Sequence, residues 1–509
     1  MTADAHNSRG VALLTDRKFA DAASEFRAAL AADANHVNAS NNLGNALTRL
    51  GQLDDAIDAY HRAIELQPDL AEAHLNLAGA LKNTGAIDAA LDSYRTAAAI
   101  RPDARIASAL LYTMHLSENV TTEELLAAHR DWNHQFAVPL RDERKPLTND
   151  RDADRKLRIG YVSPDFTAHP VGRFMLPLLA NHDRENFHVI CYSDAVRVDA
   201  MTRLLQQATH EWRETATQND AQLAEQIRAD RIDVLVDLAM HAAGSRLLTF
   251  ARKPAPVQVT YLAYCSTTGL ETMDYRFTDS RIDLDEDGGY AEKSAFLVRT
   301  YWCYAPIVQT PVTHRTDEAI AFACLNNFAK VSSGVLHAWR RILSSVPRST
   351  LTLHAGQGSH RQRVLNFFTE EGIDSGRIRF FDRVALGDYF RAYDSIDIAL
   401  DPFPFNGATT TCDALWCGVP VVSVATGTSV SRAGRSILGC ANLEELIADS
   451  IDQYIQIACD LARDRPRLAV LRATLRARLK ASPLLDAVRY TREIESRLRF
   501  MWEKWCQGE

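Results

Sequence analysis

The sequence predicts an all-α repeat array followed by two α/β lobes, each built on a parallel sheet. Three observations carry this expectation. The first hundred or so residues align on themselves at a period of about 34 residues. Two later stretches alternate short apolar strands with helical patterns, which implies parallel pairing. The 509 residues suffice for about three domains, each able to bury a core. The boundaries read as 1–118 for the repeats, 119–154 for a helical linker, 155–308 for the first lobe and 318–509 for the second.

In the repeats, segments beginning at Ala3, Val37 and Ala71 superpose. Leu43, Gly44, Leu47, Ala56, Tyr60, Ala63 and Pro68 of the second copy match Leu77, Ala78, Leu81, Ala90, Tyr94, Ala97 and Pro102 of the third. The first copy keeps Gly10, Leu13, Ala22, Phe26 and Ala29 but has Ala34 where a proline closes the others. Small residues let paired helices approach, the aromatic fills the gap between them, and the proline ends the unit: this is the tetratricopeptide pattern. Asn41, Asn42, Asn45, Asn76 and Asn83 recur on the expected concave face. There they either hold the amides of an extended peptide or are simply solvated. Beyond Pro102 the period is lost. Ala104 to Phe136 reads as two more helices, and Val138 to Asp154 as a charged linker.

A net charge of −8 leaves no basic surface for nucleic acid, which is therefore not an expected partner. The nine cysteines include no C-x-x-C pair and no Cys/His cluster at zinc spacing, so reduced thiols and a cytoplasmic setting are expected. No apolar run approaches membrane-span length, so neither a signal peptide nor a span is expected.

The first lobe opens on the strand Leu157–Val162 and the loop Ser163–Gly172, with a helix from Phe174 to Leu179. Further strands are expected at Phe187–Tyr192 and Ile232–Leu238. His169 and His241 follow strand ends, where catalytic loops of such sheets lie. In the second lobe, strands are expected at 319–324, 351–354, 377–381, 396–400 and 418–422, and a helix from Leu485 to Trp505 packs Phe500, Met501 and Trp502. Lys330 ends a loop entering a helix near Ser332. The stretch Asp401 to Ser423 reads as loop, helix and strand. Its Thr409, Thr410 and Thr411 place hydroxyls and unpaired N–H groups at a helix N-terminus, which favours an anion. Asp413, one turn on, suits hydrogen bonds from sugar hydroxyls.

Several of these stretches resemble one family. Asn406-Gly-Ala-Thr-Thr-Thr-Cys-Asp-Ala-Leu-Trp-Cys-Gly-Val-Pro-Val-Val422 is similar to the donor motif of the protein O-GlcNAc transferase family, whose plant SPINDLY branch uses fucose. Gly160-Tyr-Val-Ser-Pro-Asp-Phe-Thr-Ala-His-Pro170 resembles its opening motif. Arg252–Thr260, Thr267-Thr-Gly269 and the segment around Lys330 resemble it too. The resemblance implies a GT-B glycosyltransferase of two Rossmann-like lobes. It also implies metal-independent, inverting transfer of N-acetylglucosamine from UDP-GlcNAc to Ser or Thr hydroxyls of proteins, with no further cofactor. It assigns catalysis to Lys330 and His169, and donor binding to Asn327, Val384, Tyr389, Thr409, Thr410, Thr411, Asp413 and Arg432. His241, Thr267 and Thr268 fall on the acceptor side. Nucleotide sugar and repeat-bound protein acceptors are the implied partners.

Where relatives carry an imidazole between the glycine and the threonines, this chain has Ala408; Met240, Ala242 and Cys265 also depart from the pattern. GDP-fucose or another donor, and a peptide-binding scaffold without catalysis, therefore stay open. The acceptor base is open between His169, a diphosphate oxygen and a water chain. Acidic pairs at Asp283-Leu-Asp285 and Asp285-Glu-Asp287 lie outside the nucleotide lobe, so Lys330 and the helix N-terminus are the expected stabilisers of the leaving diphosphate.

Overall fold

A computed structural model describes residues 1–284, 289–309, 312 and 319–508. The acidic residues 285–287 and the expected lobe boundary at 318 lie outside the described residues.

Helices α1 (Ala3–Thr15), α2 (Phe19–Ala32), α3 (Val37–Leu50), α4 (Leu53–Leu66), α5 (Ala71–Asn83), α6 (Ile87–Ile100), α7 (Ala104–Met114) and α8 (Thr122–Trp132) come first. Then follow β1 (Leu157–Ser163), α9 (Pro170–Asn181), β2 (Phe187–Ser193), α10 (Ala200–Ala208), β3 (Glu211–Glu214), α11 (Asp220–Ala229), β4 (Val234–Asp237), α12 (Leu247–Ala251), β5 (Val257–Thr260), β6 (Tyr275–Asp279) and β7 (Lys293–Leu297). Next are β8 (Ala321–Cys324), α13 (Ser333–Ser345), β9 (Thr350–His354), α14 (Ser359–Glu370), β10 (Ile378–Phe381), α15 (Leu386–Ala392), β11 (Ile398–Leu400) and α16 (Thr409–Trp416). The chain closes with β12 (Val421–Val424), α17 (Ala433–Cys440), β13 (Ile447–Ala448), α18 (Ile451–Arg463), α19 (Arg465–Ala481) and α20 (Ala487–Gln507).

These elements form two compact units: Met1–Asn119 with Asp317–Asp388 and Pro402–Pro404, and Val120–Thr316 with Tyr389–Asp401 and Phe405–Glu509. In the first, α1 to α6 pair as three helical hairpins around buried Phe26, Tyr60 and Tyr94. The phenol of Tyr60 is satisfied by donating to Asn45 Oδ1 at 2.9 Å. Three of the recurring asparagines staple successive repeats: Asn42 donates to Asn7 at 3.1 Å and Asn76 to Asn41 at 3.0 Å. Part of their hydrogen-bonding capacity is thus spent inside the array. The same unit holds β8, β9 and β10, which pair in parallel in the order β10-β9-β8, with α13 and α14.

The second unit holds a seven-stranded sheet in the order β3-β2-β1-β4-β5-β6-β7, with every neighbouring pair parallel. β4 and β5 are buried along their whole length, as strands covered on both faces must be. It also contains β11, β12 and β13, paired in parallel, and α16 to α20. α20 returns to the segments that precede β1 and β2: Trp502 Nε1 donates to Asp152 O at 3.1 Å, and Glu495 accepts from Asp183 N at 2.7 Å. Met501 and Trp502 are buried as anticipated, whereas Phe500 is 47% exposed and contributes little packing.

Two local differences from the sequence reading have plain causes. α9 begins at Pro170, inside the anticipated loop, because His169 caps it and proline is tolerated in a first turn. β3 reads Glu-Trp-Arg-Glu and is partly exposed, so it carries no apolar signal.

Candidate functional site

In the second unit, α16 starts at the carboxyl end of β11, where open α/β sheets bind ligands. The loop between them is pinned by a buried carboxylate. Asp401 accepts from Gly407 N at 2.7 Å and from Ser423 Oγ at 2.7 Å. Asn406 adds a bond from Gly434 N at 3.2 Å. A Cβ on Gly434 would lie 2.1 Å from Ser423 Oγ and 2.6 Å from Asp401 Oδ2, so the close approach needs glycine.

The first turn of α16 has no side-chain cap, since Ala408 occupies the capping position. Thr409 and Thr410 are half-buried and Thr411 is buried. The Thr411 hydroxyl is buried without a partner among the described residues. Uncapped N–H groups at the positive end of the helix dipole are a ready anion acceptor.

The structure revises the role of Asp413. It is 1% exposed and both its oxygens are engaged. Arg173 on α9 clamps them with two bonds of 2.6 and 3.0 Å, Tyr304 OH donates at 2.7 Å and Tyr389 OH at 3.2 Å. A carboxylate so enclosed holds α16 to α9 rather than meeting sugar hydroxyls. Burial opposes the Arg173 charge, but the hydrogen bonds and attraction of Asp413 outweigh it and raise the guanidinium pKa above its ordinary value. Tyr389, expected at the donor, is likewise spent on packing. Its ring meets Phe390 and Tyr393 edge-on at 5.1 and 5.5 Å. Burial, then the neighbouring Tyr393 and Asp413, keep its phenol protonated. Arg173, Tyr304 and Asp401 were not singled out from the sequence; the only signal was that a buried Asp413 requires a cationic partner.

His169 sits at the N-cap of α9, its Nδ1 accepting from Val171 N at 3.4 Å and lying 3.4 Å from Asp165 Oδ2. The side chain is half-exposed. Partial burial lowers its pKa, and the attraction of Asp165 only partly offsets this, so the ring is neutral at neutral pH and able to accept a proton.

The acceptor-side residues are not at a surface. His241 is 1% exposed; its Nε2 donates to Thr268 O at 2.8 Å and its ring packs edge-on to His129 and Trp132, both at 5.0 Å. Thr267 Oγ1 donates to Glu292 at 2.5 Å and Thr268 N to the same carboxylate at 2.6 Å, all three being buried. Loop position suggested access, but this loop folds into a polar knot. Arg432 is also diverted: it donates to Gly427 O at 2.9 Å in its own loop and to Ile282 O in the loop after β6.

Burial of the two histidines gives a pH prediction. Desolvation pushes His129 down to about 4 and His241 well below its ordinary value, with His129 as a second cause for the latter. Both are neutral when folded, while the unfolded chain binds protons near pH 6.5. Stability is therefore full above pH 6.5 and lost as pH falls, by up to about 1.4 kcal/mol per pH unit for each group. Thermal melts between pH 7 and 5 should slope down, and less steeply in His241→Phe; equal slopes would refute the assignment.

In the first unit, Lys330 ends the short turn Phe328–Lys330, whose N-cap Asn327 accepts from Ala329 N at 3.1 Å. Phe328 and Ala329 are buried and Lys330 is half-buried. Asn327 is exposed, and Val384 is 40% exposed.

Residues 141–309 and 303–494 match Glycosyl transferase family 41. The chain belongs to that family. Tetratricopeptide repeats match at 44–85 and 71–104. Among family 41 relatives, the probable UDP-N-acetylglucosamine–peptide N-acetylglucosaminyltransferase SPINDLY of Solanum lycopersicum is 36% identical over 78% of this chain and 44% of its own length. The SEC protein of Arabidopsis thaliana is 30% identical over 70% of this chain and 38% of its own. The chain thus spans less than half the length of these curated relatives. A lysine-to-methionine mutant of the Thermobaculum terrenum O-GlcNAc transferase has a solved structure that matches with a TM-score of 0.93. It is 33% identical and covers 99% of this chain and 98% of that one. The family 41 architecture here is therefore GT-B behind a tetratricopeptide solenoid. Among the described residues no helix is long and apolar enough to cross a membrane.

Proposed function

We propose that the chain transfers N-acetylglucosamine from UDP-GlcNAc to Ser or Thr hydroxyls of proteins or peptides, with inversion. The observation that carries this reading is the uncapped N-terminus of α16, with a buried Thr411 hydroxyl that no described group satisfies, in a family 41 chain. The names of its relatives, UDP-N-acetylglucosamine–peptide transferases, support the same donor and acceptor class.

In this reading the bond from the sugar's anomeric carbon to the diphosphate oxygen breaks, and UDP departs with the electron pair. The acceptor oxygen bonds to the opposite face of that carbon. The N–H groups of α16, with Thr409 and Thr410, meet diphosphate oxygens, and the Lys330 ammonium offsets their developing charge. The acceptor proton goes to His169, to a diphosphate oxygen or through water. Asn327 and the Val384 backbone border the nucleotide, and the repeats hold the acceptor chain.

Calorimetric titration of the full chain with UDP, UDP-GlcNAc and GDP-fucose tests this. UDP and UDP-GlcNAc should bind more tightly than GDP-fucose. The reverse preference, which the missing imidazole at Ala408 would permit, replaces the donor. Absence of heat with all three replaces the enzyme with a scaffold.

A further inference from the structure

We propose that the repeat array is a working part of the donor lobe, and that the turn between α5 and α6, at Gly85, positions the Lys330 turn. This rests on the donor reading above and adds to the repeats a role distinct from holding acceptors.

The contacts lie within the first unit. A Cβ built on Gly85 would stand 3.1 Å from Phe328 Cε1 and 3.4 Å from Cδ1, so the glycine touches the ring that opens the Phe328–Lys330 turn. Phe328 is 7% exposed and also meets the His360 ring, at 5.0 Å between centroids. The aromatic is thereby held between the repeat turn and α14. Thr84, next to Gly85, accepts through its carbonyl from Arg363 Nη2 at 2.9 Å. Two repeat-side carboxylates fasten the helices flanking this contact. Asp54 accepts from Ser359 N at 2.6 Å and Ser359 Oγ at 2.7 Å, at the start of α14, where Gly358 offers no cap. Glu118 accepts from Ser332 Oγ at 2.6 Å and Gly334 N at 3.1 Å, at the start of α13, two residues past Lys330. Negative side chains at helix N-termini are favourable, and here they come from the array. Lys330 follows Phe328 by two residues in a turn closed by Lys330 N to Asn327 O at 3.0 Å and Val331 N to Phe328 O at 2.9 Å. Its backbone therefore goes where Phe328 is held.

The repeats supply their own control. Gly51 ends α3 with φ 78°, against 76° for Gly85, yet a Cβ there meets nothing within 4 Å. Alanine costs the same backbone strain at both positions, but only at Gly85 does it press on Phe328. In the full chain, both Gly85→Ala and Gly51→Ala should lower the melt, Gly85→Ala by at least as much as Gly51→Ala. Amide exchange in peptides covering 326–336 should rise in Gly85→Ala and not in Gly51→Ala. The dissociation constant for UDP should rise about fivefold or more in Gly85→Ala and stay within about twofold in Gly51→Ala. Phe328→Leu, which keeps the apolar volume but removes the ring edge, should act like Gly85→Ala. Equal exchange in the two glycine variants overturns the contact, and unchanged UDP affinity in Gly85→Ala overturns its positioning of Lys330. Failure of the donor reading looks different: the unaltered chain then shows no affinity for UDP.

Discussion

Lys330→Met should lower the turnover number for UDP-GlcNAc by about a thousandfold while the thermal midpoint stays within about 2 °C of the unaltered chain. The two halves of this expectation have separate causes. Lys330 is half-buried at the end of a turn whose packing comes from Phe328 and Ala329, so methionine keeps the aliphatic stem and removes only the charge. In a transfer from a nucleoside diphosphate, negative charge grows on the leaving oxygen, and an ammonium placed there acts more strongly on the transition state than on the bound donor. Loss of one such group in other enzymes costs about 3 to 4 kcal/mol in barrier. The turnover number should fall far more than the Michaelis constant rises, because the missing interaction strengthens during the reaction. UDP release, followed with the melt, checks both halves. Turnover within tenfold of the unaltered chain would remove Lys330 from the chemistry.

How far the sequence could be read follows from where the information lies along it. The repeats were legible because each helical hairpin needs the same small residues and aromatic at the same spacing, and Phe26, Tyr60 and Tyr94 are all buried as that pattern requires. α16 was legible because strand, loop, threonines and helix are contiguous, and its start at Thr409 is where the sequence places it. β3 was not, since an edge strand with one pairing neighbour carries little apolar signature. The accessibility of loop residues was illegible too: His241, Thr267 and Thr268 follow strands, as catalytic residues do. Whether such a loop opens or folds inward depends on Trp132, His129 and Glu292, which come from other parts of the chain. Asp413 shows the same limit. Its place one turn into the helix suits a ligand contact, but its partner Arg173 lies 240 residues away, and no local pattern announces it.

That pairing sets the second large effect. Arg173→Met should destabilise the second unit by about 3 to 5 kcal/mol, because it leaves a carboxylate buried among Tyr304 and Tyr389 without its counter-charge. The two phenols still donate to it, which places the expected loss toward the lower end. Removing both members separates stability from positioning. In the double variant Arg173→Met, Asp413→Leu, no charge is stranded, although the buried Tyr304 phenol loses its acceptor. Part of the lost stability should therefore return. Activity should not, because the bidentate bridge is what fixes the start of α16 against α9, the helix that His169 caps. A flexible apolar contact leaves that geometry loose, and misplacement of about 1 Å is enough to cost a hundredfold in rate. Denaturant midpoints and UDP release on the two single variants and the double one decide the matter. If the double variant regains activity in step with stability, the bridge serves folding alone, and α16 keeps its place through Asp401, Ser423 and Asn406 without help from α9.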